Sequence, residues 1–262
     1  MNRSRLLSLF AALAAALPAV RAQDPTPPKG PDPEVAAKIK TLKEAVADKK
    51  FARDAEAVKL IDELLMKLQA GADPKDQKEV VKAFDFVLNK SPKLRPADNA
   101  ALYNGVVAAL GGCGADGAKA LKDAFEGKRF PDKTEWVPLR EQMLKNVGKT
   151  KDDSMVKFLL DEARRSPEAA LQKAAGEALG NFGEAKEAVR KDIVNQLLVT
   201  YGELSQKAGE LGSSNVEAQN ARDRLAAITK DWNDTLGKLT GQAFDKFLDW
   251  LSWYNKHKGE SW

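Results

Sequence analysis

His257 and Cys113 are the single histidine and the single cysteine of the chain, so side chains suited to metal binding or nucleophilic attack are scarce. His257 stands among lysines near the C-terminus. A zinc site needs further ligands, and a hydrolytic dyad needs a nucleophile set against the imidazole. A cation closing a helix, where it complements the dipole, is the reading this position supports. Cys113 lies in Gly111-Gly112-Cys113-Gly114. One cysteine excludes an intrachain disulfide and every cysteine-rich zinc pattern. It either pairs between chains or fills a tight turn, and the turn is the preferred reading. The carboxylate pairs Asp152-Asp153 and Asp161-Glu162 invite acid/base or calcium chemistry. The first needs one carboxyl desolvated and the second six or more oxygens in a loop. Asp152-Asp153 precedes a helix, where negative charge caps the free N–H groups, so capping is preferred there. Gly111 to Gly114 lacks the preceding strand and following lysine of a phosphate loop, and no dinucleotide or serine-elbow pattern occurs. The expectation is a chain without catalytic residues, metal ligands or cofactor.

The elements around these residues are helical throughout. From Pro167 to Tyr201 two amphipathic helices are written with their punctuation. Leu171, Ala174, Ala175, Ala178 and Leu179 share one face of a 3.6-residue period. Ser166 before Pro167 reads as an N-cap with a first-turn proline. Gly180 and Gly183 read as a helix stop, and Gly148 and Gly180 are expected at positive φ. Val189, Ile193, Leu197 and Tyr201 line the second helix at four-residue intervals. Each stripe is too narrow to be a core alone.

The unit recurs upstream. Aligning Leu102, Leu139 and Leu171 brings Gly111, Gly148 and Gly180 into register nine residues later. Val106, Met143 and Ala175 stand at the fourth position after the leucine, and Ala109, Asn146 and Ala178 at the seventh. These are inward positions with one polar exception. The first and second positions are mostly polar: Tyr103, Arg140 and Gln172, then Asn104, Glu141 and Lys173. A second helix follows each glycine, over 118–125, 155–163 and 189 onward. Uneven spacing of the units suits stacked helical pairs with variable loops.

On these residues the chain resembles the HEAT-like repeats of the short type. LQKAAGEALGNFGEAKEAVRKDIVNQL follows their Ala-Ala-x-x-Leu-Gly-x-Phe-Gly pattern best, and the units at Leu102 and Leu139 follow it less fully. The resemblance implies an all-α class, an α-α superhelix of HEAT-like hairpins, and little about chemistry. Leu239-Thr240-Gly241 with Phe244 and the tryptophans beyond it is similar to the closing segment of exported bacterial HEAT-repeat proteins.

Residues 1–22 read as a secretory signal: Arg3 and Arg5, an apolar stretch from Leu6 to Leu17, and Val20-Arg21-Ala22 as the cleavage site. Export to the periplasm or the exterior is therefore expected, without stable membrane insertion after cleavage. Setting Arg3, Arg5 and Arg21 aside lowers the formal charge from +4 to +1, with the signs interleaved, which is no footprint for nucleic acid. Residues 23–33, with five prolines, read as a linker. The domain expected over 34–262 begins with helices at 34–50, 51–69 and 73–89, the last capped by Asp73 before Pro74. It ends with helices at 213–237 and 244–257. In the last, Phe244, Phe247, Leu248, Leu251 and Tyr254 share a face, with Trp250 and Trp253 at its edges.

The function expected is a non-catalytic scaffold for protein partners outside the cytoplasm. Its recognition ridge would comprise Tyr103, Asn104, Arg140, Glu141, Gln172 and Lys173, with Trp253 a further candidate. The alternative is a binder of envelope glycan or a small ligand through the C-terminal aromatics. A HEAT-like lyase is the third reading.

Overall fold

The computed structural model describes residues 30–210 and 216–262. The signal-like segment, the linker up to residue 29 and the expected helix start at Ser213 lie outside the described residues. Eleven α-helices run in order among the described residues: α1 (Pro33–Val46), α2 (Asp54–Gln69), α3 (Pro74–Asp85), α4 (Ala101–Leu110), α5 (Gly114–Glu126), α6 (Val137–Lys149), α7 (Val156–Arg165), α8 (Ala169–Leu179), α9 (Glu187–Ala208), α10 (Val216–Thr240) and α11 (Phe247–His257). No strand occurs among the described residues, so the all-α expectation holds. Residues 31–262 form one compact unit.

Aspartates start several helices, as their short acceptors should. Asp73 Oδ1 accepts from the Lys75 N–H at 2.8 Å, with Pro74 in the first turn. Asp32 does the same for α1, accepting from the Glu34 N–H at 2.9 Å ahead of Pro33. Asp152 accepts from the Ser154 N–H at 3.0 Å, the capping role expected for that carboxylate. Ser166 does not cap α8. It follows α7 with extended ψ (133°), its N–H donating to Glu162 O at 3.1 Å, and α8 begins three residues later. The proline after it disfavours helical backbone at Ser166, so this dipeptide ends a helix before it can start one.

Helices α2, α4, α6, α8 and α10 pack successively in one layer, while α1, α3 and α5, then α7, α9 and α11, lie against them in a second. One apolar cluster runs through the stack from Val35 to Trp250.

The aligned glycines are where first-layer helices touch, and their role differs from the expected one. Gly148 lies inside α6, and Gly180 has φ −64°, so neither is left-handed. Positive φ falls instead at Gly71, Gly114 and Gly241 among the glycines. A Cβ on Gly111 would stand 2.6 Å from Asn146 Oδ1, and one on Gly148 would stand 2.8 Å from Ala178 Cα. A Cβ on Gly180 would stand 3.0 Å from Thr235 Oγ1. Each glycine thus admits the seventh-position residue of the following unit. Extending that rule exposes a unit the alignment missed. Counting back from Thr235 places Ile228 at the leucine position, Trp232 at the fourth and Gly237 at the ninth, all on α10. Ile228 and Trp232 are fully buried, as their counterparts are.

Gly148→Ala is expected to lower stability by about 2–3 kcal/mol, because overpacking against helix backbone outweighs the gain in helix propensity. Gly180→Ala meets side chains that can shift, so its cost should stay under about 1 kcal/mol. Urea denaturation of both variants checks this. A larger loss at Gly180 than at Gly148 would remove the packing account.

Candidate functional site

The polar residues expected to form a ridge divide by position. At the first position Tyr103, Arg140 and Gln172 are buried, which corrects their reading as surface residues. Their polar ends satisfy the chain segment that enters each first-layer helix. Arg140 donates to Phe125 O at 2.8 Å and to Phe130 O at 2.9 Å, with its guanidinium 3.9 Å from the Phe125 ring centre. Gln172 donates to Ala163 O and Arg164 O at 3.2 Å each, and its carbonyl accepts from Arg224 at 2.5 Å. The Tyr103 hydroxyl accepts from the Arg95 N–H at 3.1 Å. Carbonyls ending α5 and α7 have no helical partner, and Arg140 and Gln172 supply one.

At the second position Asn104 is exposed, while Glu141 and Lys173 are half-buried. Lys173 pairs with Asp231 of α10 at 3.4 Å, and Lys145 of α6 pairs with Glu177 of α8 at 2.7 Å. Burial pushes the Glu141 carboxyl up from its ordinary value, with Lys145 and Lys173 pulling it back. These groups tie neighbouring units to one another.

The C-terminal aromatics are likewise engaged within the chain. Trp253 stacks on His257 at 5.4 Å and meets Trp262 edge-on at 5.3 Å. His257 Nδ1 lies 2.6 Å from Glu260 Oε2. Trp250 is the buried residue of α11, whereas Leu248 is 71% exposed, so the inward face is centred on Trp250 rather than on the expected stripe.

Unclaimed charge gathers in a different place, between α3 and α5. The groove there has a volume of about 540 Å³ and is edged by Lys78, Lys82, Lys90, Lys119, Lys128 and Arg129. Asp85, Asp116 and Asp123 are its acidic residues, and Val81, Ala120 and Gly127 add apolar surface. Asn89 spans the groove, donating to Asp85 Oδ1 at 2.8 Å and Ala120 O at 3.1 Å. Lys90 pairs with Asp85 at 2.5 Å, Lys82 with Glu79 at 2.7 Å, and Arg129 donates to Ser91 Oγ at 2.6 Å. Lys78, Lys119 and Lys128 are exposed, and no ion pair engages them among the described residues.

No family model, curated protein or solved structure matches this chain.

The second-layer pair α7 and α9 forms a groove of about 590 Å³ with the opposite sign. Asp153, Asp161 and Asp192 face it over Val156, Leu160 and Val189, and its Lys157 is paired with Asp161 at 2.6 Å. Sequence reading missed both grooves. The signal it contained was Lys78 and Lys82 four apart on α3, a repulsive spacing that Glu79 offsets at Lys82 but not at Lys78. Among the described residues, no cluster of three or more His, Cys, Asp or Glu side chains could hold a metal ion, and no helix is long and apolar enough to cross a membrane.

Cys113 is half-buried, its thiol 3.2 Å from Ala109 O. Burial, with Asp116 adding to it, pushes the thiol up to about 11. Its thiolate fraction at pH 8 is then lower than that of a free cysteine, partly compensated by the greater nucleophilicity of a more basic thiolate. Alkylation by iodoacetamide at pH 8 is expected to run at least about tenfold slower than for free cysteine and to climb as pH rises toward the thiol's own value. A rate matching free cysteine would show an exposed, unperturbed thiol.

Proposed function

We propose that this chain is an exported, HEAT-like repeat scaffold that holds protein partners along its second layer of helices and performs no chemistry of its own. The observation that carries this reading is the segregation of charge between two grooves of that layer, basic at α3–α5 and acidic at α7–α9. Fixed, opposite potentials on one stack of helices select and orient a partner more than they tighten it. The HEAT-like assignment draws support from the four-fold recurrence of leucine or isoleucine and glycine along α4, α6, α8 and α10, with a glycine-to-seventh-position contact at each of the three junctions between them. Export draws support from the basic, apolar and small-residue order of residues 1–22.

Residues 23–262, purified and mixed with an envelope fraction, should give salt-sensitive protein crosslinks that map by mass spectrometry to α3, α5, α7 or α9. Crosslinks confined to the first layer, or turnover of a small molecule by the purified chain, would displace this reading.

A further inference from the structure

We infer that the α3–α5 groove is a docking site for an extended acidic peptide segment of a partner protein. Its identity as a peptide site rests on the scaffold reading above. The cationic excess is local: six basic side chains face three carboxylates here, while the chain beyond residue 22 carries +1 overall. Lys78 and Lys82 on α3 stand four residues apart, across the groove from Lys119 on α5, and like charges at such spacing repel. Within the groove Lys82 is paired with Glu79 and Lys90 with Asp85. Lys78, Lys119 and Lys128 therefore form the unclaimed part of the groove's charge, and carboxylates brought by a ligand would relieve their repulsion.

The remaining lining selects the class of anion. Asp116 and Asp123 sit among the lysines, and a uniformly charged polymer such as a nucleic acid or sulfated glycan would have to lie against them. A peptide can set its carboxylates against the lysines and place neutral residues beside the aspartates. Val81 and Ala120 offer apolar surface for small side chains, and the open length between two helices suits extended backbone. Asn89 is held by Asp85 and the α5 carbonyl, which fixes the groove before any ligand arrives.

The test uses residues 23–262 and a fluorescein-labelled peptide of alternating Glu and Ala, with a Gln/Ala peptide of equal length as its neutral control. Anisotropy titrations should show saturable binding of the Glu peptide that weakens with added salt. Reversing Lys78, Lys119 and Lys128 to glutamate together should weaken it at least about tenfold. These side chains are exposed and unpaired, so circular dichroism should be unchanged. Reversing Lys40, Lys149 and Lys256, which lie outside the groove, removes the same total charge and should have little effect, as should Asp192→Asn in the acidic groove. Equal loss from both triple reversals would mean diffuse attraction and would overturn the site. Binding of a heparin oligosaccharide or single-stranded DNA in place of the peptide would reassign the groove and also overturn it. Concentration-dependent self-association, abolished by the groove reversal without peptide binding, would assign a second copy of the chain instead. If the groove reversal leaves the envelope crosslinks on the other second-layer helices intact and peptide binding is absent, the site fails while the scaffold stands. If the peptide binds but no protein crosslinks form, the scaffold fails.

Discussion

Arg95→Met is expected to destabilise the protein by about 3–5 kcal/mol, the usual cost of removing one partner from a buried, hydrogen-bonded pair. The Arg95 side chain is fully buried. Its guanidinium meets Asp54 through both carboxylate oxygens, at 3.2 Å and 2.7 Å, and donates to Val46 O and Lys93 O at 3.0 Å each. The Phe51 ring centre lies 4.7 Å away. One cation thus joins the end of α1, the start of α2 and the loop leading to α4. Methionine fills the volume but leaves Asp54 and two carbonyls to find other partners. Arg95→Lys should recover little, since one ammonium cannot reproduce the bidentate fork. Adding Asp54→Leu to Arg95→Met should recover part of the loss, because the stranded carboxylate is what costs most. Guanidinium denaturation of the single and double variants decides the matter. If the two losses simply add, the buried pair is not a coupled unit.

Much of the architecture was legible in the sequence because burial imposes a period. Leu171, Ala174, Ala175 and Ala178 announce their helix, and the leucine-to-glycine register of α4, α6 and α8 survives intact in the stack. The purpose of the glycines was not legible. Spacing alone does not distinguish a left-handed stop from a close approach, and Gly148 owes its place to Ala178, a residue 30 positions away. The unit in α10 was hidden by residue type: Ile228, Trp232 and Thr235 replace the leucine and alanines, although Gly237 keeps the ninth position. Gly176 lies beneath the Trp232 indole, where no Cβ fits, so the larger ring is matched by a missing side chain on the preceding unit.

The candidate binding residues were harder to read for a related reason. Arg140 and Gln172 carry polar ends that suggest solvent, yet those ends serve the open carbonyls of α5 and α7. The basic groove is built from α3 and α5, which α4 separates in sequence, so neither helix alone gathers all of its lysines. Only their adjacency concentrates the lysines.

Trp250→Ala is expected to cost about 3–5 kcal/mol, within the range for removing a large buried aromatic. For a chain of this size that should lower the melting temperature by roughly 10 °C. Trp250 is fully buried, its indole N–H donates to Asn233 Oδ1 at 3.0 Å, and Phe244 packs edge-on against it at 4.9 Å. Asn233 also donates to Asp245 O at 2.9 Å, so one amide joins α10, the turn after Gly241 and the lid helix α11. Without the indole, α11 keeps Phe247 against Tyr201 at 5.2 Å but loses its one buried side chain. Trp250→Phe retains much of the apolar area and forfeits the hydrogen bond, so it should cost only about 1–2 kcal/mol. Hydrogen exchange offers a local readout: amides of α11 and the end of α10 should lose protection in Trp250→Ala before those of α4 and α6. If the proposed scaffold role holds, capture of envelope proteins through the second-layer grooves should persist below the lowered melting temperature. Unchanged stability together with lost capture would make α11 a recognition surface and not the lid of the stack.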